Sequence, residues 1–153
     1  MKMSKASDYA LVLLAKLEAL PEDQWVSVRV VAGEIGVPNR FLSNIVHRLV
    51  QAGILLSHRG VAGGVQLAKG SGEITIGDVL EATDDALGLV DCVDHPGACP
   101  LENHCEVQRF WAVTHSFILA ALKHITLKEI TSHLKNSTAL PKVATSLPAA
   151  KIF

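Results

Sequence analysis

The sequence predicts a mostly α-helical fold with a small β-wing, in which a winged helix-turn-helix domain precedes a long C-terminal helix. Three observations support this fold class. Two amphipathic helical segments, joined by a short turn, precede two apolar runs that flank a glycine-rich turn. Helix, helix and hairpin in this order form a winged helix-turn-helix. Residues 106–125 then carry apolar side chains at helical spacing over their whole length.

Residues that favour helix ends bound the predicted helices of the N-terminal half. Ser27 is placed to cap the second helix, and Gly36 to close it. Pro38 opens the third helix, and Gly53 ends it. The three helices are predicted over residues 4–19, 28–36 and 39–52.

A β-hairpin is predicted where the apolar runs 54–57 and 65–68 flank the turn RGVAGG. Two short helices are predicted further on, and each begins at a threonine with an acidic capping-box partner three residues along the chain. These pairs are Thr75 with Asp78, for a helix over 76–83, and Thr126 with Glu129, for a helix over 127–134.

The composition indicates a globular protein. Its 153 residues, 49% hydrophobic and 19% charged, are expected to form one domain with a buried core, or a small domain with an additional arm. No apolar run is long enough for a membrane span. Asp8, Lys16 and Glu18 interrupt the apolar N-terminal segment, which is therefore interpreted as an amphipathic helix of a cytoplasmic protein. The absence of a phosphate loop, of paired catalytic carboxylates and of an assignable Cys–His pair argues against an enzyme.

The charges are unevenly distributed along the chain. Residues 24–70 carry five Lys or Arg against one acid, a net +4, whereas residues 71–125 carry nine acids against two bases, a net −7. This asymmetry favours a polyanionic partner for the first of the two segments.

The third helix and the hairpin together have the pattern of a DNA-binding element. One face of the helix is apolar, and the other carries hydrogen-bonding side chains without acids, as binding beside phosphates requires. Either element alone also fits a solvated helix or an ordinary hairpin, but their order and the local basic excess favour DNA binding. The candidate DNA contacts are Arg29, Asn39, Arg40, Ser43, Asn44, His47, Arg48, Arg59, Gly60, Gly63 and Gly64.

All three cysteines of the chain, Cys92, Cys99 and Cys105, lie in one loop with the spacing C-x6-C-x5-C. A zinc ion held with His95 or His104 is one interpretation, although these spacings exceed those of zinc knuckles. An iron–sulfur cluster is larger than one ion and suits longer spacings, with a fourth ligand from elsewhere. A third interpretation is that the cysteines are three buried free thiols, although a loop that holds prolines, histidines and acids is a poor place to bury them.

Several motifs in order resemble the Rrf-type winged-helix transcriptional regulators, whose iron–sulfur members include IscR, NsrR and RirA. The resemblance covers residues 1–134 and implies a homodimer, a C-terminal helix that forms the dimer interface, and a cluster in the three-cysteine loop. The motifs that carry it are SKASDYAL, GVPNRFLSNIVHRLVQAGIL, HRGVAGGVQLAK, ITIGDVLEA, the three cysteines and ITLKEI.

The resemblance implies ligands residue by residue. The three cysteines match the family's cluster ligands, although x6 is one residue longer than the commonest first spacing. IscR-like members use a histidine where this chain has Gln108, whereas NsrR-like members use an aspartate of the other subunit at the position of Asp8. Asp8 is therefore the expected fourth ligand, and His95 and His104 are the alternatives. IscR-like members also carry a glutamate at the position of Ser43, so no operator sequence is implied.

The expected function is that of a dimeric repressor or activator that binds a near-palindromic operator in double-stranded DNA. A 2Fe–2S or 4Fe–4S cluster would sense iron, redox or nitric oxide status, and the alternative is a zinc-stabilised DNA-binding dimer without a sensing cluster. The expected organisation is a DNA-binding domain over 1–83, a cluster loop over 84–105, the dimerisation and last helices over 106–135, and a flexible tail over 136–153.

Overall fold

A computed structural model describes residues 3–21, 23–60, 63–84, 90–95 and 97–136 of the chain. Its helices and strands confirm the predicted fold class, mostly helical with a small β-wing. The predicted tail lies outside the described residues, apart from Asn136. In chain order the elements are α1 (Lys5–Glu18), α2 (Val28–Ile35), α3 (Asn39–Gln51), β1 (Leu55–His58), β2 (Gly64–Leu67), α4 (Ile76–Ala82), α5 (Asp91–Asp94), a 3₁₀ turn (Glu102–His104), α6 (Glu106–Leu122) and α7 (Leu127–Asn136).

The helix ends lie within a few residues of their predicted positions. The Ser4 side chain caps α1 by accepting a hydrogen bond from the Ser7 backbone N–H at 3.1 Å. Gly36 ends α2 with a φ of +72°, a conformation that glycine adopts without strain. Ser27 occupies the N-cap position of α2, but its side chain makes no capping hydrogen bond. Ser27 therefore marks the helix boundary without stabilising it as predicted.

The wing is a two-stranded antiparallel sheet. β1 and β2 pair antiparallel, with Leu55 opposite Leu67 and His58 opposite Gly64. Val26, which precedes α2, forms an isolated antiparallel bridge to Val65. The described part of the chain contains no helix long and apolar enough to cross a membrane.

The main core lies between α1, α3, the wing and the last helix. The stripe predicted for α3 is confirmed, because its apolar side chains on one side are buried while the polar ones on the other are exposed. Phe41, at the edge of this stripe, is only half-buried. Core side chains with at most 1% exposure include Leu13, Leu14, Leu42, Leu49, Ile54, Leu55, Val65, Ile74, Val79 and Leu127.

A second, smaller core joins α4 to α6. Ile76 and Leu80 of α4 are buried, and Leu119 and Leu122 of α6 pack against them. α6 ends at Leu122, three residues before the predicted end, because the chain there turns to pair with the start of α4. The Ile76 backbone N–H donates to the Ile125 carbonyl at 2.9 Å.

Both predicted capping boxes are present, and the one at α7 leads to a pH-dependent prediction. The hydrogen bonds from the Thr126 backbone N–H and hydroxyl hold the pKa of Glu129 below its ordinary value of 4.5. A carboxylate with a lowered pKa stabilises the fold above its unfolded pKa, and the effect is lost as the pH falls through the folded pKa. Glu129→Ala should therefore cost about 0.5 kcal/mol near pH 7, and this cost should shrink as the pH falls through the lowered pKa of Glu129.

Urea unfolding of both proteins across this pH range is the measurement. A stability difference that stays constant from pH 7 to pH 3 would contradict the assigned role of the carboxylate.

Candidate nucleic-acid interface and cysteine loop

The exposed face of α3 carries most of the predicted DNA contacts. The opposite face is anchored by Leu42 and Leu49, which have no solvent exposure. α3 also packs on α1 and α2, so its outward side chains project from a rigid support. The side chains of Asn39, Arg40, Ser43, Asn44, His47 and Arg48 are all exposed, as is Arg29 on α2.

Arg48 differs from the rest of this face because it has partners within the chain. Its Nη1 donates to the Thr83 carbonyl at 2.9 Å and to the Asp84 carboxylate at 3.0 Å. Both partners follow α4, where Asp84 has a φ of +54°. The guanidinium of Arg48 is thus directed at the end of α4.

The wing presents His58 and Arg59 to solvent just before its tip. The His58 ring meets the Trp25 ring edge-on, with centroids 5.8 Å apart. Gly60 has a φ of +130°, and a Cβ on Gly63 would meet the backbone of His58 and Gly60. These glycines therefore shape the tip, and the two tip residues 61 and 62 lie outside the described part of the chain.

Gly64 is required by packing inside the wing. A Cβ at this position would lie 2.5 Å from the Val26 carbonyl oxygen and 2.7 Å from its carbon. Gly64→Ala should therefore separate Val26 from Val65 and cost about 2 kcal/mol in the free energy of unfolding, measured by urea denaturation.

Gly33→Ala is the matched control for this substitution. Gly33 lies inside α2 with open space around the added Cβ, so alanine should stabilise the protein by about 0.5–1 kcal/mol. Equal effects of the two substitutions would contradict the close approach of Gly64 to Val26.

The cysteine loop spans from the end of α4 to the start of α6. Cys92 lies in α5, Cys99 lies in the turn that follows it, and Cys105 occupies the N-cap position of α6. The loop turns at Gly97, with a φ of +90°, whose N–H donates to the Glu102 carboxylate. All three thiols are half-buried.

The other two thiols of the loop affect the Cys92 thiol. Partial desolvation raises the pKa of the Cys92 thiol, and the neighbouring Cys99 raises it further, with a smaller contribution from Cys105. Gln108, one turn into α6, donates its side-chain amide to the Cys92 carbonyl at 3.3 Å. Gln108 thereby ties the first cysteine to the helix that begins at the third.

The structure does not bring all the predicted ligands together. Asp8 is exposed in the first turn of α1, and His95 and His104 are exposed in the loop. Among the described residues, no group of three or more His, Cys, Asp or Glu side chains is arranged to hold a metal ion. The assignment of Asp8 and of the three cysteines as ligands stays a prediction.

Comparison with known proteins identifies the family. The sequence model of the Rrf2 family, described as "iron-dependent transcriptional regulator", matches residues 3–133. The chain belongs to the Rrf2 family. It is also 31% identical over 144 residues to the HTH-type transcriptional regulator NsrR of Halalkalibacterium halodurans, covering 94% of this chain and 99% of that protein.

Solved structures agree with the fold of this Rrf2-family protein. CymR, described as the global cysteine regulator of B. subtilis, matches with a TM-score of 0.70 at 23% identity over 87% of this chain and 98% of that one. IscR of T. potens matches with a TM-score of 0.69 at 20% identity over 92% and 93% of the two chains. At such identities the likeness concerns the winged-helix fold alone.

The family membership confirms several expectations. The Rrf2-family protein is a winged-helix DNA-binding transcriptional regulator, and the expectation that it is not an enzyme is confirmed by the regulators it matches. Sequence reasoning missed Thr83 and Asp84, whose contacts with Arg48 have no local sequence signal. The sequence identifies Gln108 only as a position where a ligand histidine is absent. In the structure, its side-chain amide donates a hydrogen bond to the Cys92 carbonyl and so connects the loop to α6.

Proposed function

We propose that this protein is a homodimeric regulator whose DNA binding responds to an iron–sulfur cluster held by Cys92, Cys99, Cys105 and Asp8 of the second copy. The observation that carries the proposal is the loop itself. All three thiols of the chain lie on one loop that leaves α4 and ends as the N-cap of α6. A ligand of this loop therefore acts at the junction between the DNA-binding domain and the long helix.

The donor set fits such a cluster. Thiolates are the usual protein ligands of iron–sulfur clusters, and half-buried thiols combine partial shielding from water with access for assembly. When bound, the cluster supplies an iron centre that reacts with oxidants and nitric oxide, and a carboxylate as fourth ligand is the weakest of the four.

The exposed side of α6 supports the homodimer. None of its residues is buried within one chain, although the helix is rich in apolar side chains. Four large ones recur every three or four residues on one face, and an exposed apolar stripe of this kind marks an interface. Their exposed fractions are 56% for Val107, 61% for Phe110, 50% for Val113 and 42% for Phe117.

Two copies related by a twofold axis would bind a near-palindromic site in double-stranded DNA. Their recognition helices would occupy successive major grooves about 34 Å apart. Each α3 would offer Asn39, Arg40, Ser43 and Asn44 to the groove, and each wing would offer Arg59 to the adjacent backbone or minor groove.

Anaerobic purification followed by iron, sulfide and zinc analysis and a visible spectrum tests the cluster. We expect a coloured protein with iron and acid-labile sulfide, either as purified or after reconstitution with ferrous iron and sulfide. A colourless protein with one zinc per chain would replace the sensor with a structural metal site. A protein that takes up neither iron with sulfide nor zinc would overturn the metal assignment.

Variants then test the ligands. Cys99→Ser should abolish retention of iron and sulfide, because the chain has only three cysteines and all three are proposed ligands. Asp8→Asn should leave a cluster that is lost faster on dilution into chelator, and Asp23→Asn, a substitution of another exposed acid, should not. Equal loss rates for the two aspartate variants would remove Asp8 from the ligand set.

A further inference from the structure

A chain of hydrogen bonds connects three helices beneath the DNA-binding face. The Ser7 and Thr83 hydroxyl oxygens lie 2.7 Å apart, and both side chains are almost fully buried. The Thr83 carbonyl then accepts from the guanidinium of Arg48 at 2.9 Å. Two hydrogen bonds thus lead from the first turn of α1, through the end of α4, to the recognition helix α3.

The start of this chain adjoins the expected fourth ligand. Ser7 precedes Asp8, and both lie in the first turn of α1, where Ser4 accepts from the Ser7 backbone N–H. A force that holds the Asp8 carboxylate therefore acts on Ser7 through one peptide bond.

We propose that Ser7, Thr83 and Arg48 are positioning residues that transmit the binding of Asp8 at the cluster to the orientation of α3. The inference rests on the proposed function for the step between the cluster and Asp8. In this arrangement Arg48 orients the recognition helix instead of contacting DNA, since its guanidinium is engaged with Thr83 and Asp84.

The path from Ser7 through Thr83 to Arg48, called the link below, combines a firmly held buried part with a weaker exposed part. The Ser7–Thr83 pair is buried, and each hydroxyl has a second partner, Ser4 Oγ for Ser7 and the Val79 carbonyl for Thr83, so both side chains are held in place. The Arg48–Asp84 ion pair is exposed, and such pairs contribute little stability, so α3 can shift without unfolding the domain. Asp84 also tolerates its left-handed conformation, as Asp and Asn do more readily than other non-glycine residues.

Backbone hydrogen exchange in the full-length protein, with and without the reconstituted cluster, tests the link. In the wild type, loading should slow exchange in peptides of α3 several-fold. In the double variant Ser7→Ala/Thr83→Val, which removes both hydroxyls, loading should leave α3 exchange within twofold of the cluster-free value. Iron and sulfide contents should equal those of the wild type.

Substitutions of exposed residues test the same link if the double variant of the buried Ser7 and Thr83 fails to fold. Arg48→Gln and Asp84→Asn should lose the same loading-dependent protection of α3. Lys16→Gln is the matched control, because it breaks another exposed ion pair, between α1 and Glu34 of α2, at the same 3.0 Å distance. It should respond to loading as the wild type does.

The outcomes separate the link from the proposed function. Normal loading with equal protection of α3 in the wild type and in Arg48→Gln would overturn the link alone. Failure of the wild type to retain iron and sulfide would overturn the proposed function and the link with it. In the cluster-free proteins, exchange of α3 should already be faster in Arg48→Gln than in Lys16→Gln, because the first substitution frees the helix from the end of α4.

Discussion

Phe110→Gln/Phe117→Gln should convert the proposed homodimer to a monomer. The two rings are 61% and 42% exposed on one face of α6, so four rings per dimer would lose their apolar contacts. Burying the exposed part of each ring contributes about 1 kcal/mol, and the sum of about 4 kcal/mol corresponds to roughly a thousandfold weaker dimerisation. Sedimentation equilibrium at micromolar concentration measures this change directly.

Loss of the dimer should also lower the affinity for DNA. Two linked recognition helices bind more tightly than one by a factor of about 100 or more, because the second contact is intramolecular. Since both rings face outward, the monomer should keep the wild-type circular dichroism spectrum.

Val30→Gln serves as the matched control for the dimer interface, since Val30 is 55% exposed but lies on α2. It should leave the dimer intact. A dimeric Phe110→Gln/Phe117→Gln variant would place the interface elsewhere.

Local signals explain why much of the fold could be predicted from the sequence. The buried and exposed faces of α3 follow from the spacing of its apolar residues, because a helix repeats every 3.6 residues. The capping boxes at Thr75 and Thr126 join residues three apart, and both are present. The glycines of the wing indicate a turn with unusual backbone angles, which Gly60 adopts.

The remaining features depend on contacts between residues far apart in the chain. The pair between Arg48 and Asp84 spans 36 positions and that between Ser7 and Thr83 spans 76, and neither side of these contacts has a periodic pattern. The wide apolar face of α6 was apparent, but periodicity could not divide it into a side that packs on α4 and a side that stays exposed. That division depends on where α4 lies, which only the tertiary fold determines.

Arg40→Gln/Arg59→Gln should reduce both DNA affinity and its dependence on salt. Each substitution removes one exposed cation from α3 or from the wing, and four cations are lost per dimer. Each phosphate contact contributes about 0.9 to the slope of log K against log salt, so the slope should become shallower by about 3 to 4. At 0.1 M salt this corresponds to an affinity loss of about 10³- to 10⁴-fold. The measurement uses a mixed-sequence duplex of about 30 base pairs, which is long enough for both DNA-binding domains of a dimer.

Arg48→Gln is the informative control because it removes the same charge from the same helix. If Arg48 is held by Thr83 and Asp84, its substitution should leave the salt slope within about 0.5 of the wild type, although each dimer again loses two cations. A slope that falls by about 2 would instead assign Arg48 to a phosphate and remove it from the link between α4 and α3. An unchanged slope in Arg40→Gln/Arg59→Gln would mean that the basic face of α3 and the wing does not meet the DNA backbone.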